Sequence, residues 1–311
     1  MEELKLKYTG KIREVEIGSG DKKIKIGGET PLNFHSFEGE IPNPPLISFE
    51  IWDSIPEEWP ETCLLPYKDV IDDPLNWAKK CMNEYGAKCL TVFLSSTDPN
   101  GMNKSADEVR PIVEKIVEEI EVPLIFWGTG NVEKDAGVLK MVCEVASGKN
   151  VAVGPVVDRN YKQIGANAIA YKQVIVASTP IDINLAKQLN ILLLELGIPE
   201  NRIIMDPTVG ALGYGIEYTY SVMERNRIAG LLQGDDKLAF PIFCYLSKEV
   251  WKIKEVSIPE GIDGKLGREK ERGIMFEGIT AALLLLAGAD IVVIRHPETA
   301  KLINQLIDEM K

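Results

Sequence analysis

Two hydrophobic periodicities divide the chain. Over residues 4–28 the stretch "LKLKYTGKIREVEIG" alternates apolar and polar positions, "SGD" supplies a turn and "KKIKIGG" returns, which predicts a β-hairpin. From residue 46 the pattern changes to short apolar runs separated by longer runs of helical period. The strand-length runs are 46–53, 89–97, 122–130, 151–157, 173–179, 202–208, 238–246 and 290–296. They are nearly continuous Val, Ile, Leu and Phe, as expected for parallel strands covered on both faces. Several helical runs open at Asp, Ser or Asn and several close at Gly. Eight such units predict an α/β fold, a (β/α)8 TIM barrel over 46–311, near the usual size of about 250 residues. An open doubly wound sheet is the alternative. It usually carries GxGxxG after its first strand, and "EIWDSIPEEW" has no such loop. Residues 1–45 are expected to be the hairpin plus a Pro- and Gly-rich connection, together capping the barrel.

Composition narrows the function classes. The chain has 311 residues, 45% hydrophobic and 26% charged, with 47 acids against 35 bases and a net charge of −12. Such a surface repels phosphate backbones and anionic lipid, so neither nucleic acid nor membrane is an expected partner. The longest apolar run, "ITAALLLLAG" at 279–288, is about half of a membrane span. The start, "MEELKLKYTG", lacks a signal-peptide pattern, and a cytoplasmic location is expected. Five cysteines at wide spacings, with no CxxC, are expected to be reduced thiols and not cluster ligands. With only His35 and His296, a His-rich metal site is excluded.

A barrel places its chemistry after each strand. Those positions hold Asp53; Ser95, Ser96, Thr97 and Asp98; Thr129 and Asn131; Asp158 and Asn160; Ser178 and Thr179; Asp206 and Thr208; Arg295 and His296. Small hydroxyls, amides and acids suit hydrogen bonding to a polar, amide-bearing ligand. No lysine ends a strand, which disfavours Schiff-base chemistry. The loops "SKEVWK" and "HPETAK" lack the glycines of a phosphate cradle. Each position also has a purely structural reading. Asp206 before Pro207 suits a turn, "GTGN" a tight turn capped by Asn131, His296 a helix cap, and "ERNR" at 224–227 a solvated face. The stretch "MDPTVGALGYG" at 205–215 is less easily dismissed. Gly210, Gly213 and Gly215 lie beside Tyr214, Tyr218 and Tyr220, which suits a backbone that a bulky group approaches closely.

The segment "IIMDPTVGALGYGIEYTYSVMERNRIAG" closely resembles the small subunit of the corrinoid iron–sulfur protein, also called the delta subunit of the acetyl-CoA decarbonylase/synthase complex. "NPPLISFEIWD" and "GITAALLLLAGADIVVIRHPET" are similar to it too, so the likeness covers most of the chain. The resemblance implies a TIM barrel paired with a larger subunit that carries a [4Fe–4S] cluster and most of the cobamide (corrinoid) contacts. It implies passage of a methyl group from methyltetrahydrofolate, through a methyltransferase, to acetyl-CoA synthase in the anaerobic acetyl-CoA pathway. Catalytic residues and metal ligands are not expected on this chain, and no DxHxxG occurs in it. The motif carries over Asp206, Thr208, Gly210 and Tyr214 as cofactor-binding candidates. Barrel geometry adds Thr129, Asn131, Asp158, Asn160, Ser178 and Thr179. The alternative function is a pterin-binding, methyltransferase-like barrel enzyme, and a third is an unrelated barrel lyase or hydrolase.

Overall fold

A computed structural model describes residues 5–310. It contains a hairpin of β1 (Val15–Ile17) and β2 (Ile24–Ile26), then eight parallel strands. These are β3 (Leu46–Trp52), β4 (Leu90–Phe93), β5 (Leu124–Trp127), β6 (Ala152–Val156), β7 (Val174–Ser178), β8 (Ile203–Asp206), β9 (Phe243–Cys244) and β10 (Ile291–Ile294). Their order is β8-β7-β6-β5-β4-β3-β10-β9. A parallel bridge between Met205 and Ile242 joins β8 to β9 and closes the ring, and Met205 N donates to Pro241 O at 2.8 Å. The helices are α1 (Glu61–Leu64), α2 (Pro74–Asn83), α3 (Ala106–Glu119), α4 (Val132–Val145), α5 (Tyr161–Tyr171), α6 (Ile183–Leu196), α7 (Ile216–Leu231), α8 (Ser247–Val250), α9 (Lys254–Ser257), α10 (Glu269–Leu286) and α11 (Pro297–Glu309). The TIM barrel and the preceding hairpin stand as the sequence predicts.

Local signals set the helix starts. Asp73 accepts hydrogen bonds from the Leu75 and Asn76 amides, and Asp182 from those of Asn184 and Leu185. Ser105 and Glu108 form a reciprocal capping box on α3. Val109, Val113, Ile116 and Val117 then recur at helical spacing and bury one face against the sheet. Gly197 ends α6 at φ 99°, in the left-handed region that glycine adopts without penalty.

Two strands are shorter than their apolar runs. The run 238–246 yields only Phe243–Cys244, because Pro241 has no N–H and the Ile242 amide is taken by Asp290 Oδ2 at 2.6 Å. The run 89–97 stops at Phe93 and turns into a short 3-10 segment over Ser95–Thr97. The hairpin is likewise shorter than 4–28, and Leu4 lies outside the described residues.

The hairpin packs on the segments that lead into β6 and β9 at the N-terminal end of the barrel, and we propose that it caps that end. Val15, Ile17 and Ile26 join the main hydrophobic core. Asn150, just before β6, donates to Glu16 O at 2.7 Å, and Arg13 N donates to Ala239 O at 2.9 Å. A Cβ on Gly10 would lie 1.9 Å from the Gly230 carbonyl oxygen, so contact between these two backbones requires glycine there. Beneath the cap, Arg227 of α7 is fully buried between Glu29 (2.9 Å) and Asp290. "ERNR" is therefore only half a solvated face: Glu224 and Arg225 are exposed, whereas Asn226 and Arg227 are buried.

Candidate functional site

Alternation along β3 points Ser48, Glu50 and Trp52 into the barrel. Ser48 Oγ meets Thr91 Oγ1 of β4 at 2.7 Å, while Phe49 faces outward and stacks on Tyr85 beyond α2. Trp52 packs on Phe93 (5.0 Å between ring centroids), and Trp127 on both Phe243 (5.0 Å) and Tyr245 (5.4 Å). Strands β5 and β9 lie opposite each other in the ring. Rings from them touch only by spanning the axis, so aromatic side chains fill the barrel centre. Gly154 makes room for this layer: a Cβ there would lie 2.8 Å from the Trp127 ring.

One buried carboxylate organises the top of that layer. Glu50 Oε1 accepts from Trp52 Nε1, Tyr245 Oη (3.0 Å) and Arg295 Nη2 (3.0 Å). Its Oε2 accepts from Ser247 Oγ and from Arg295 Nε at 3.0 Å. Burial pushes the Glu50 carboxyl upward, but the Arg295 charge and these donors outweigh it and hold it below the ordinary range. The Arg295 guanidinium in turn lies 3.9 Å above the Trp59 ring centroid. Glu277 of α10 holds the same turn by accepting from the Arg295 and His296 amides at 2.8 and 3.2 Å. His296 caps α11, its Nδ1 accepting from Glu298 N, and burial lowers its pKa to about 4.

Above this floor opens a cleft of about 860 Å³, lined by Trp52, Trp59, Phe93, Lys248, Trp251 and Arg295 among others. It lies to one side of the axis, over the β3, β4, β5, β9 and β10 loops. Ile55 and Met102 line its rim, 51% and 58% exposed.

The ten residues singled out from the sequence fall into separate places. Ser178, Thr179, Asp206 and Thr208 share one network. Asp206 Oδ2 accepts from Ser178 Oγ at 2.7 Å, its Oδ1 from Thr208 N at 3.0 Å, and Thr208 Oγ1 donates to Thr179 O at 2.6 Å. Thr129 lines the cleft, in a turn closed by Asp135, which accepts from the Thr129 and Gly130 amides. Asn131 caps α4 and Asn160 accepts from Val157 N, while Asp158 is exposed. Gly210 donates to Thr219 Oγ1 at 2.8 Å, and Tyr214 is 73% exposed. The glycines of "VGALGYG" serve the loop's own turn. A Cβ on Gly210 would lie 2.5 Å from the Gly215 carbonyl oxygen, and Gly213 and Gly215 have φ of 76° and 85°.

Burial raises the Asp206 pKa from 3.8 to about 6, against the opposing pull of Ser178, Thr208 and Lys248. A carboxyl raised in the folded state binds its proton there while the unfolded chain has released it. Its contribution to stability therefore falls as pH rises from about 4 to about 6 and is gone above that window. Asp206→Asn should remove this slope. Measured by urea unfolding, its stability relative to wild type should improve by about 3 kcal/mol between pH 4 and pH 7. An unchanged difference would refute the burial account.

The family model for the CO dehydrogenase/acetyl-CoA synthase delta subunit matches residues 14–307. The chain belongs to this delta-subunit family. It is 34% identical to the acetyl-CoA decarbonylase/synthase complex subunit delta of Archaeoglobus fulgidus, over 99% of this chain and 70% of that one. The corresponding subunit of Methanocaldococcus jannaschii is 34% identical over 96% and 74% of the two chains. Among solved structures, a Xanthomonas albilineans dihydropteroate synthase with 4-aminobenzoic acid superposes with a TM-score of 0.58 at 14% identity, covering 90% of this chain and 98% of that one. The Thermus thermophilus synthase with 4-aminobenzoate gives 0.57 at 12% identity, covering 90% and 99%. At such identities the likeness shows the barrel fold alone. Among the described residues no helix of this delta-family chain is long and apolar enough to cross a membrane.

Three groups of this delta-family barrel escaped the sequence reading. Glu50 sits inside the strand run "LISFEIWD", where a lone acid among apolar residues was a legible signal of a buried partner. Arg295 was placed at a strand end, but its partner lies 245 residues away. Lys248 belongs to "SKEVWK", weighed only as a phosphate cradle. No lysine ends a strand, yet this one reaches the cleft from α8.

Proposed function

We propose that this chain is the barrel-forming subunit of a corrinoid methyl carrier, and that its open end helps cover a cobamide held mainly by a larger iron–sulfur subunit. The observation that carries this reading is the family match over residues 14–307, joined to an open barrel end built as a surface. With rings filling the axis, a macrocycle fits across the face and not inside it. Exposed Ile55, Met102, Tyr214 and Tyr218 give that face apolar contacts, and the Ser95 and Thr129 hydroxyl oxygens, which donate to Asp53 and Asp135, can accept from amide side chains. When bound, such a cofactor supplies a nucleophilic cobalt that accepts a methyl group and gives it up. The part played by this chain is to exclude water on one side and orient the ring. Among the described residues no group of three or more His, Cys, Asp or Glu is placed to hold a metal ion, and all five cysteines are buried. On this reading cluster and cobalt belong to the partner. The methyl group passes from methyltetrahydrofolate, through a methyltransferase, to acetyl-CoA synthase.

Co-expression with the larger subunit should give a stable heterodimer with a cobamide spectrum, and the chain alone should bind cobamide poorly. Hydrogen exchange should slow at 54–59, 95–102 and 210–218 when the partner binds. Tight cobamide binding by the isolated chain, or protection confined to the hairpin end, would refute the proposal. A barrel that itself binds a reduced pterin comes second, because the axis is already occupied by Trp127, Phe243 and Tyr245. Micromolar binding of methyltetrahydrofolate to the isolated chain, read by calorimetry, would reverse that order.

A further inference from the structure

Among the described residues that line the cleft, Lys248 is the half-buried cation without an ion pair; Lys252, also unpaired, is exposed at its edge. Lys248 rises from the start of α8 into the cleft, with Nζ 5.3 Å above the Phe93 ring centroid. Among the described residues nothing hydrogen-bonds its ammonium, and no carboxylate lies at ion-pair distance. The acids that bear on it are occupied or set apart. Glu50 is taken by Arg295, Tyr245, Ser247 and Trp52. Asp135 is taken by the Thr129 and Gly130 amides, and Asp206 by Ser178 and Thr208. Glu249, next in sequence, makes no ion pair with it. Burial, reinforced by Lys252, pulls the Lys248 pKa below the ordinary lysine value, which is the mark of a charge short of a partner.

The surroundings fit one kind of ligand. Trp52, Trp59 and Trp251 wall the cleft, and the Trp59 indole N–H is buried without an acceptor. The volume of about 860 Å³ suits a small molecule. Glu57, Glu58 and Asp98 also line it, but the two glutamates are exposed at the rim and Asp98 accepts from Asn100 N. We propose that this cleft binds a flat anion, an aromatic ring bearing a carboxylate or phosphate, with Lys248 as the receptor for its charge. The cleft lies on the face that the cobamide reading gives to the macrocycle, but the proposal concerns the chain without its partner and does not depend on that reading.

Calorimetric titration of the full chain with 1-naphthoate, 1-naphthyl phosphate and the neutral 1-naphthamide tests it. At least one anion should bind about tenfold or more tighter than the amide, as for a charge-assisted hydrogen bond. Whichever anion binds tighter identifies the natural group as carboxylate or phosphate. Lys248→Met should abolish the preference while leaving amide binding unchanged, which also shows that the variant is folded, and Lys248→Arg should keep the preference. Anions bound no better than the amide, no binding by any of the three, or a preference that survives in K248M would each overturn the proposal. None of these outcomes bears on cobamide retention by the heterodimer.

Discussion

Glu50→Ala should lower the stability of the chain by about 3–5 kcal/mol, the usual cost of removing one partner from a buried ion pair. The substitution leaves the Arg295 guanidinium, 4% exposed, without its bidentate acceptor. It also strands the Trp52 indole, the Tyr245 hydroxyl and the Ser247 hydroxyl, all donors to the same carboxylate. Against a net stability of about 5–15 kcal/mol, typical of single domains, the loss is large. The double variant E50L/R295M should recover part of it, because removing both charges leaves no unpaired ion. Urea unfolding of E50L, R295M and the double variant gives the coupling directly. Additive losses would mean that the pair acts as two independent packing groups, and a loss under about 1 kcal/mol would put it on a par with a solvated pair.

Arg227→Met should be comparably damaging, about 3–5 kcal/mol, by the same mechanism at the opposite end. Arg227 holds Glu29 of the cap and Asp290 before β10 together, and also donates to Gly288 O at 3.0 Å. Methionine keeps the stem that packs on Gly288 but leaves two carboxylates facing each other. Burial, with repulsion from Asp290, already raises the Glu29 pKa against the pull of Arg227. Losing the guanidinium raises it further. In the intact chain that carboxyl already titrates at about 8, so the deficit of R227M should widen only as pH rises above about 8. The cap should loosen as well. The Ile12 amide bonds to Glu29 O, and the Gly28 amide to Ile12 O, and both should exchange faster in R227M. A deficit that narrows in alkali, or unchanged exchange over 8–30, would sink this account.

Much of the site's frame was legible because its causes are local. Asn131 and His296 cap helices through bonds to amides two or three residues away, so residue type and position were enough to find them. The turn "VGALGYG" was also legible as a place needing glycine, but not the reason. Within the chain the crowding comes from Gly215 folding back over Gly210, five positions on. The scattered strand-end hydroxyls did not converge. Ser178 and Asp206 meet because β7 and β8 are neighbours, whereas Thr129 belongs to the cleft and Asn160 to its own turn.

Strand and helix periods, the caps and the −12 charge are properties of short windows or of simple sums, and they determined the barrel and its hairpin, while the quoted segments such as 203–230 carry the family resemblance. Which polar residues meet was decided only by closure of the ring. Glu50 and Arg295 are joined across 245 positions, Tyr245 and Glu50 across 195, and Arg227 and Asp290 across 63. A buried charge looks the same in a sequence whether its partner is three or three hundred residues distant, because Coulomb attraction depends on separation in space. Lys248 shows the same limit from the other side: that no carboxylate among the described residues pairs with it is a fact about neighbours brought close by folding.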